Sequence, residues 1–248
     1  MREALVVGGA NGIGLAIATL LAADAEYGKV YIVDRVDVDP NYAHPKFEYR
    51  NFDLRSEDFS MFDEFKGVDT LMITAGFGRL AHFADVEEQH IVDSFSVNTT
   101  AVIRIIRHFY DRLLAKEEFY CGVMGSIAGF LSSPLFAVYG ATKAALKIFI
   151  ESVNVELEMA GSKNRILNVS PGSIKGTSFY NGGNDLSQTT LLAGEIIENL
   201  RAHNDLFIPM YDEVFREVLE RYHADFRAEG RHSYEYKMNS GRVKKVVR

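Results

Sequence analysis

The feature that most constrains this chain is a glycine-rich turn near its start, Gly8-Gly9-Ala10-Asn11-Gly12-Ile13-Gly14. An apolar run, Ala4-Leu5-Val6-Val7, leads into it. Ile13, Ala16, Ile17, Leu20 and Leu21 follow at the i, i+3, i+4, i+7, i+8 spacing of one buried helix face. Glycine permits the sharp turn with positive φ and lets an anion approach the backbone. The helix that opens there points free N–H groups and its positive dipole end at that anion. A glycine string alone is weak evidence, but strand before and helix after are the context that gives it meaning. Its spacing is Gly-x-x-x-Gly-x-Gly, and no Gly-Lys-Ser/Thr ending follows, which argues against a nucleoside triphosphatase loop.

Strand and helix patterns alternate through the rest of the chain. Residues 30–33, 47–52, 71–73, 120–124 and 166–169 read as further strands. Helical patterns cover about 86–114, 138–161, 193–203 and 211–228, with a short edge strand at 206–208. Such alternation predicts an α/β fold: a doubly wound, Rossmann-like parallel sheet with helices on both faces, three layers in all. The length of 248 residues suits one domain, 1–248. Within it, 173–203 reads as a mobile substrate loop and helix. The basic segment 230–248 reads as solvated rather than as a nucleic-acid arm.

Composition excludes several classes. The lone cysteine, Cys121, rules out an internal disulfide and a cysteine-based zinc cluster, and reads as a buried small hydrophobe. No metal is expected. Lys and Arg number 27 against 34 Asp and Glu, a net charge of −7, which argues against nucleic acid as the main partner. No apolar run approaches the roughly 20 residues of a membrane span, and no signal peptide is visible, so a cytoplasmic location is expected.

Asp34 closes the second strand 20 residues after Gly14. A carboxylate there accepts hydrogen bonds from an adenosine ribose and repels the extra phosphate of NADP, which favours NAD; Arg35 beside it works the other way. Asp53 and Leu54 follow the third strand and are candidates for the adenine, with a turn or capping role for Asp53 nearly as plausible. A second group is Ser126, at the end of the fifth strand, with Tyr139 and Lys143 at i, i+4 on one helix face. Small residues crowd 139–145, so something can approach that face closely. Singly, each has a bland reading: a turn serine, an amphipathic tyrosine and lysine. Beside a dinucleotide loop they favour an active site.

Gly8-x-x-x-Gly12-Ile13-Gly14, Ala75-Gly76, Asn98, Ser126, Tyr139-x-x-x-Lys143 and Pro171-Gly172 occur in the order of the short-chain dehydrogenase/reductase family, which this chain resembles over roughly its first 180 residues. The resemblance implies an oxidoreductase that transfers a hydride between NAD(H) and a secondary alcohol or ketone. It implies Tyr139 as acid/base, Lys143 as the group that lowers the phenol pKa and holds the nicotinamide ribose, and Ser126 on the substrate oxygen. Asn98 would position a water beside Lys143. Gly8, Asn11, Gly12, Ile13, Gly14, Asp34, Arg35, Asp53, Leu54, Ala75, Gly76, Pro171, Gly172 and Thr177 would line the cofactor.

Departures from the family pattern stand out. Val7 replaces the usual threonine before the loop, and Ile73-Thr74 replaces Asn-Asn before Ala75-Gly76; Thr74 is placed to restore part of the lost bracing. Residues 35–46 look too short for a full helix. Phe77, Leu131, Pro134, Leu135, Phe136, Ile174, Phe179 and Tyr180 are candidates for an apolar substrate pocket or for plain core. Two other readings remain open: a nucleotide-sugar epimerase or dehydratase, disfavoured by the glycine spacing, and a non-catalytic dinucleotide sensor. Pairing through 102–114 and 144–155 would give a homodimer or homotetramer.

Overall fold

The computed structural model describes residues 1–177 and 184–243. Seven parallel strands form one sheet in the order β3-β2-β1-β4-β5-β6-β7: β1 Arg2–Val7, β2 Tyr27–Asp34, β3 Phe47–Asn51, β4 Thr70–Ile73, β5 Tyr120–Met124, β6 Ile166–Val169 and β7 Leu206–Phe207. Every residue of β4 and β6 is buried, as both faces of a parallel sheet must be when helices cover them. On one face Ala16, Ile17 and Leu21 of α1 (Gly12–Ala23) pack with Ala193, Ile196 and Leu200 of α6 (Thr190–Arg201). On the other, Val102 and Ile105 of α3 (Ala101–His108) pack with Leu146 and Ile150 of α5 (Ala137–Met159). This is the doubly wound, three-layer α/β arrangement. Strand order reverses between β1 and β4, so a crevice opens beyond their carboxyl ends.

Several elements differ from the sequence reading. The expected helix over 86–114 is broken. α2 (Glu88–Phe95) runs into a π-helical turn, Ser96–Thr100, before α3, and Phe109 separates α3 from α4 (Tyr110–Leu114). The expected helix over 211–228 is a π-helical turn, Tyr211–Phe215, then α7 (Arg216–Ala224) and α8 (Phe226–Asn239). Asp225 makes the break, because its carboxylate accepts the Arg227 and Ala228 N–H groups as an N-cap. The segment expected to be solvated is helical over most of its described residues and largely exposed, but it is docked at two points, where Gly230 is buried and Lys237 reaches Ser133. Residues 35–46 hold a single 3-10 turn, Pro40–Tyr42. Of the expected pairing helices, α5 leaves Ile148, Val155 and Met159 exposed. No helix of the described residues is long and apolar enough to cross a membrane.

The end of β5 shows how tightly the sheet fixes what leaves it. A Cβ on Gly125 would lie 2.2 Å from Asn168 Oδ1 and 2.6 Å from Ser170 Oγ. Those two side chains are buried and bonded to each other at 2.8 Å, so neither can yield cheaply. Gly125→Ala is therefore expected to destabilise the fold by about 1–3 kcal/mol, the usual cost of overpacking, read as a lower denaturant midpoint.

Candidate active site

The glycine turn is held by a close approach that admits no side chains. Gly8 has φ +82° and Gly12 φ +54°, conformations that favour glycine. A Cβ on Gly8 would lie 2.4 Å from Ala75 N, and one on Gly14 would lie 2.3 Å from Gly8 O. Thr74 stands between β4 and the turn, its Oγ1 3.1 Å from Val7 O and 3.0 Å from Gly8 O. It thus supplies the bracing that Val7 and Ile73 lack. The N-terminal amides of α1 face the crevice, and Asn11 caps none of them with its side chain. Gly12 N–H instead donates to Asn184 Oδ1 at 2.7 Å. Asn184 Nδ2 is buried without a partner among the described residues, and Tyr42 Oη donates to Asn184 O at 2.8 Å.

Asp34 ends β2 beside this turn. One carboxylate oxygen accepts Ala10 N–H at 3.1 Å and the other accepts Arg35 N–H at 2.7 Å. Arg35 is exposed next to it. Asp53 is engaged by Arg55, whose guanidinium and backbone N–H hold its carboxyl down to about 2. Leu54 beside it is buried at the crevice wall.

The second group assembles on α5 and the end of β5. Tyr139 hydrogen-bonds Ser126 and stacks on Phe136, ring centroids 4.3 Å apart. Burial pushes the phenol up to about 12, with the Ser126 bond opposing. Lys143 is buried; its Nζ lies 5.7 Å from the Tyr139 ring centroid and donates to Met124 O at 2.7 Å. Desolvation pushes that amine down to about 8. The small residues of 139–145 answer to the turn at 127–129: a Cβ on Gly129 would meet the Lys143 backbone at 2.7 Å. Asn98 sits in the π-helical turn, a local irregularity often found at functional sites. Its Oδ1 accepts Phe77 N–H at 2.9 Å, and its Nδ2 donates to Phe77 O at 2.8 Å and Thr142 Oγ1 at 3.2 Å. Gly76 touches both partners of this cluster, since a Cβ there would be 3.3 Å from Asn98 Oδ1 and 3.4 Å from Lys143 Nζ.

The glycine turn, Asp34, Asp53, Ala75, Gly76, Ser126, Tyr139, Pro171, Gly172 and Thr177 all line one cleft of about 1420 Å³. That exceeds the roughly 300–1,000 Å³ of a single small-ligand pocket and leaves room for a dinucleotide with a second molecule. Thr177 lies against Gly12, and its hydroxyl donates to Ile174 O at 2.7 Å. Of the apolar candidates, Phe77, Leu131, Phe136 and Ile174 line the cleft, whereas Leu135 is buried and Pro134 turns its carbonyl to Lys237. Phe179 and Tyr180 lie outside the described residues. Sequence reading missed Asn184, Phe215, the Arg221–Glu229 pair and Lys237. Phe215 packs on Gly172, where a Cβ would meet its ring at 2.7 Å. No local signal marks Asn184, Phe215 or Lys237, because each gains its role from a partner distant in sequence, and Arg221 and Glu229 meet only because the chain breaks between α7 and α8.

The profile of the family described as short chain dehydrogenase matches residues 2–185. The chain belongs to the short-chain dehydrogenase/reductase family. An uncharacterized short-chain type dehydrogenase/reductase of Sinorhizobium fredii is 29% identical over 180 residues, 71% of each chain. A 3-oxoacyl-acyl-carrier-protein reductase of Mycobacterium avium is 30% identical over 175 residues, 70% of this chain and 67% of that one. A short-chain dehydrogenase from Sphingobium yanoikuyae in complex with NADPH shares the fold with TM-score 0.72 at 19% identity, over 91% of this chain and 96% of its own. This short-chain dehydrogenase/reductase is thus an oxidoreductase by family, with the family's NAD(P)-binding Rossmann fold.

The residues present fit a dinucleotide. The turn leaves no Cβ between an anion and the backbone, and the Gly12 N–H already holds a carbonyl oxygen, that of Asn184, where an anionic oxygen would be received. The orphaned Asn184 Nδ2 is a further donor within reach of that spot. Because Thr74 is the brace of this turn, Thr74→Val is expected to cost about 1 kcal/mol in denaturant unfolding and to weaken NADH binding in a fluorescence titration.

Proposed function

We propose that this short-chain dehydrogenase/reductase interconverts a secondary alcohol and a ketone with NAD(H), using Tyr139 as the acid/base. The observation that carries this reading is the Tyr139–Ser126 hydrogen bond within the cleft that the glycine turn opens, with Lys143 buried behind the cleft wall, its Nζ 5.7 Å from the Tyr139 ring centroid. The dinucleotide supplies or accepts the hydride when bound. In reduction the Tyr139 phenol gives its proton to the carbonyl oxygen, and in oxidation the phenolate takes the proton of the carbinol hydroxyl. Ser126 holds the same oxygen and offsets its developing charge. Lys143 favours the phenolate by its charge and holds the nicotinamide ribose. Asn98 is a positioning residue: its side chain clamps Phe77 and so sets Gly76 against Lys143. Asp34 reads the adenosine ribose and repels a 2′-phosphate, so NAD(H) is the preferred cofactor.

Tyr139→Phe is expected to lower kcat at least about a hundredfold, the scale of general acid/base catalysis, while NADH still binds. Unchanged turnover would sink the reading. The pH dependence follows the phenol. Reduction needs its neutral form and loses rate as pH rises through its pKa; oxidation needs the phenolate and gains rate over the same range.

Titration with NADH and NADPH separately tests the cofactor. The wild type is expected to prefer NADH. Asp34→Asn keeps an acceptor for Ala10 N–H while removing the charge, and is expected to raise NADPH affinity about tenfold. A wild type that prefers NADPH would assign the choice to Arg35 instead.

A further inference from the structure

At the end of the cleft away from Asp34, Lys237 of α8 reaches the loop that precedes α5. Its Nζ donates to Ser133 Oγ at 2.7 Å and to Pro134 O at 3.0 Å. Both acceptors are neutral, and no carboxylate of the described residues acts on the ammonium. Glu229 is the only acidic side chain lining this end among the described residues. It is buried and bonded to Arg221 at 2.8 Å. Arg242 lines the same end and repels Lys237, and Arg79 is exposed on the facing loop. A chain of net charge −7 therefore gathers cations at one end of its cleft.

A partly buried ammonium with only neutral partners is costly, and burial with the nearby Arg242 pushes Lys237 down to about 8. An incoming anion removes that cost. Ser133 is placed to help, because its oxygen accepts from Lys237 and its own proton remains to be donated. The location is next to the chemistry. Ser133 Cβ lies 3.6 Å from where a Gly140 Cβ would stand, and Gly140 follows Tyr139. Leu131 and Phe136 give the cleft apolar wall near this point.

We propose that the substrate carries an anionic group, a carboxylate or a phosphate, held by Lys237 and the Ser133 hydroxyl a short carbon chain from the reacting carbonyl. This rests on the alcohol/ketone reading of the same cleft and names the class of compound it takes.

The test is a panel of keto acids of increasing length beginning with levulinate, each against its methyl ester, and acetonyl phosphate against hydroxyacetone, with wild type and Lys237→Met. The wild type is expected to favour the anionic member by about tenfold or more in kcat/KM, carried by KM, the scale of one charge-assisted hydrogen bond. The better of the carboxylate and phosphate arms identifies the group. In Lys237→Met that preference is expected to collapse toward one. Equal use of neutral and charged members by the wild type, or a preference that survives Lys237→Met, overturns the proposal. A second readout needs neither turnover nor cofactor: acetylation of Lys237 by N-hydroxysuccinimidyl acetate, followed by peptide mass spectrometry. Protection by levulinate or acetonyl phosphate, but not by the neutral partners, supports the anion subsite even if no carbonyl is reduced, an outcome in which only the hydride-transfer reading falls. Absence of protection by either anion overturns the subsite.

Discussion

The structure hangs on the contact between the glycine turn and the end of β4. Gly8 and Gly14 come so near Ala75, Thr74 and each other that a methyl group at either would overlap backbone. That contact fixes where α1 begins and hence where its amides point. It also fixes where the chain leaves β4, because Ala75 N–H is bonded to Val7 O at 3.1 Å. The next residue, Gly76, lies against Asn98 and Lys143, and Gly78 lies against Phe136 and Tyr139. One backbone approach therefore sets both the anion cradle and the Ser126–Tyr139–Lys143 cluster. Interiors packed this closely transmit small displacements rather than absorb them.

The cluster is held in its uncharged direction. Burial raises the phenol to about 12 and lowers the Lys143 amine to about 8, so each shift disfavours the charged form. The Ser126 bond works against the first shift. Groups displaced this way respond strongly to any charge brought beside them, because little solvent remains to screen it. Asn98 contributes differently. Its amide is spent on Phe77 and Thr142, and the π-helical turn lets it face inward from a helix that otherwise packs on the core.

Much of this was legible in the sequence, and the reasons are local. The strand–turn–helix at the glycines, the alternation of buried strands with helices, and the i, i+4 spacing of Tyr139 and Lys143 are all short-range patterns. The interruption at residues 96–100 was not legible, since a π-helical turn shifts the register by one residue without any proline or glycine to mark it. α8 was hidden for another reason. Its residues are mostly polar, and it meets the cleft through Glu229, Gly230 and Lys237, so hydrophobic periodicity carries no trace of its docking. Asn184 is the same kind of case: its partner Gly12 stands 172 residues away.

The two ends of the cleft have different origins in the chain. The glycine turn, Asp34, Asp53, Gly76, Ser126, Tyr139, Lys143 and Gly172 all fall within residues 2–185, the span that matches the family profile. Phe215, Arg221, Glu229, His232 and Lys237 lie beyond it and close the opposite end. The charges divide likewise. On the β2 and β3 side Asp53 is paired with Arg55 and Asp34 stands beside Arg35, while Lys237, Arg242 and the Arg221–Glu229 pair stand on the other. A carboxylate at one end and an ammonium at the other orient a bound molecule as well as hold it, because reversing the molecule would set like charges together. The span that matches the family profile carries the glycine turn and the Tyr139 phenol. The residues beyond that span build the other end of the cleft.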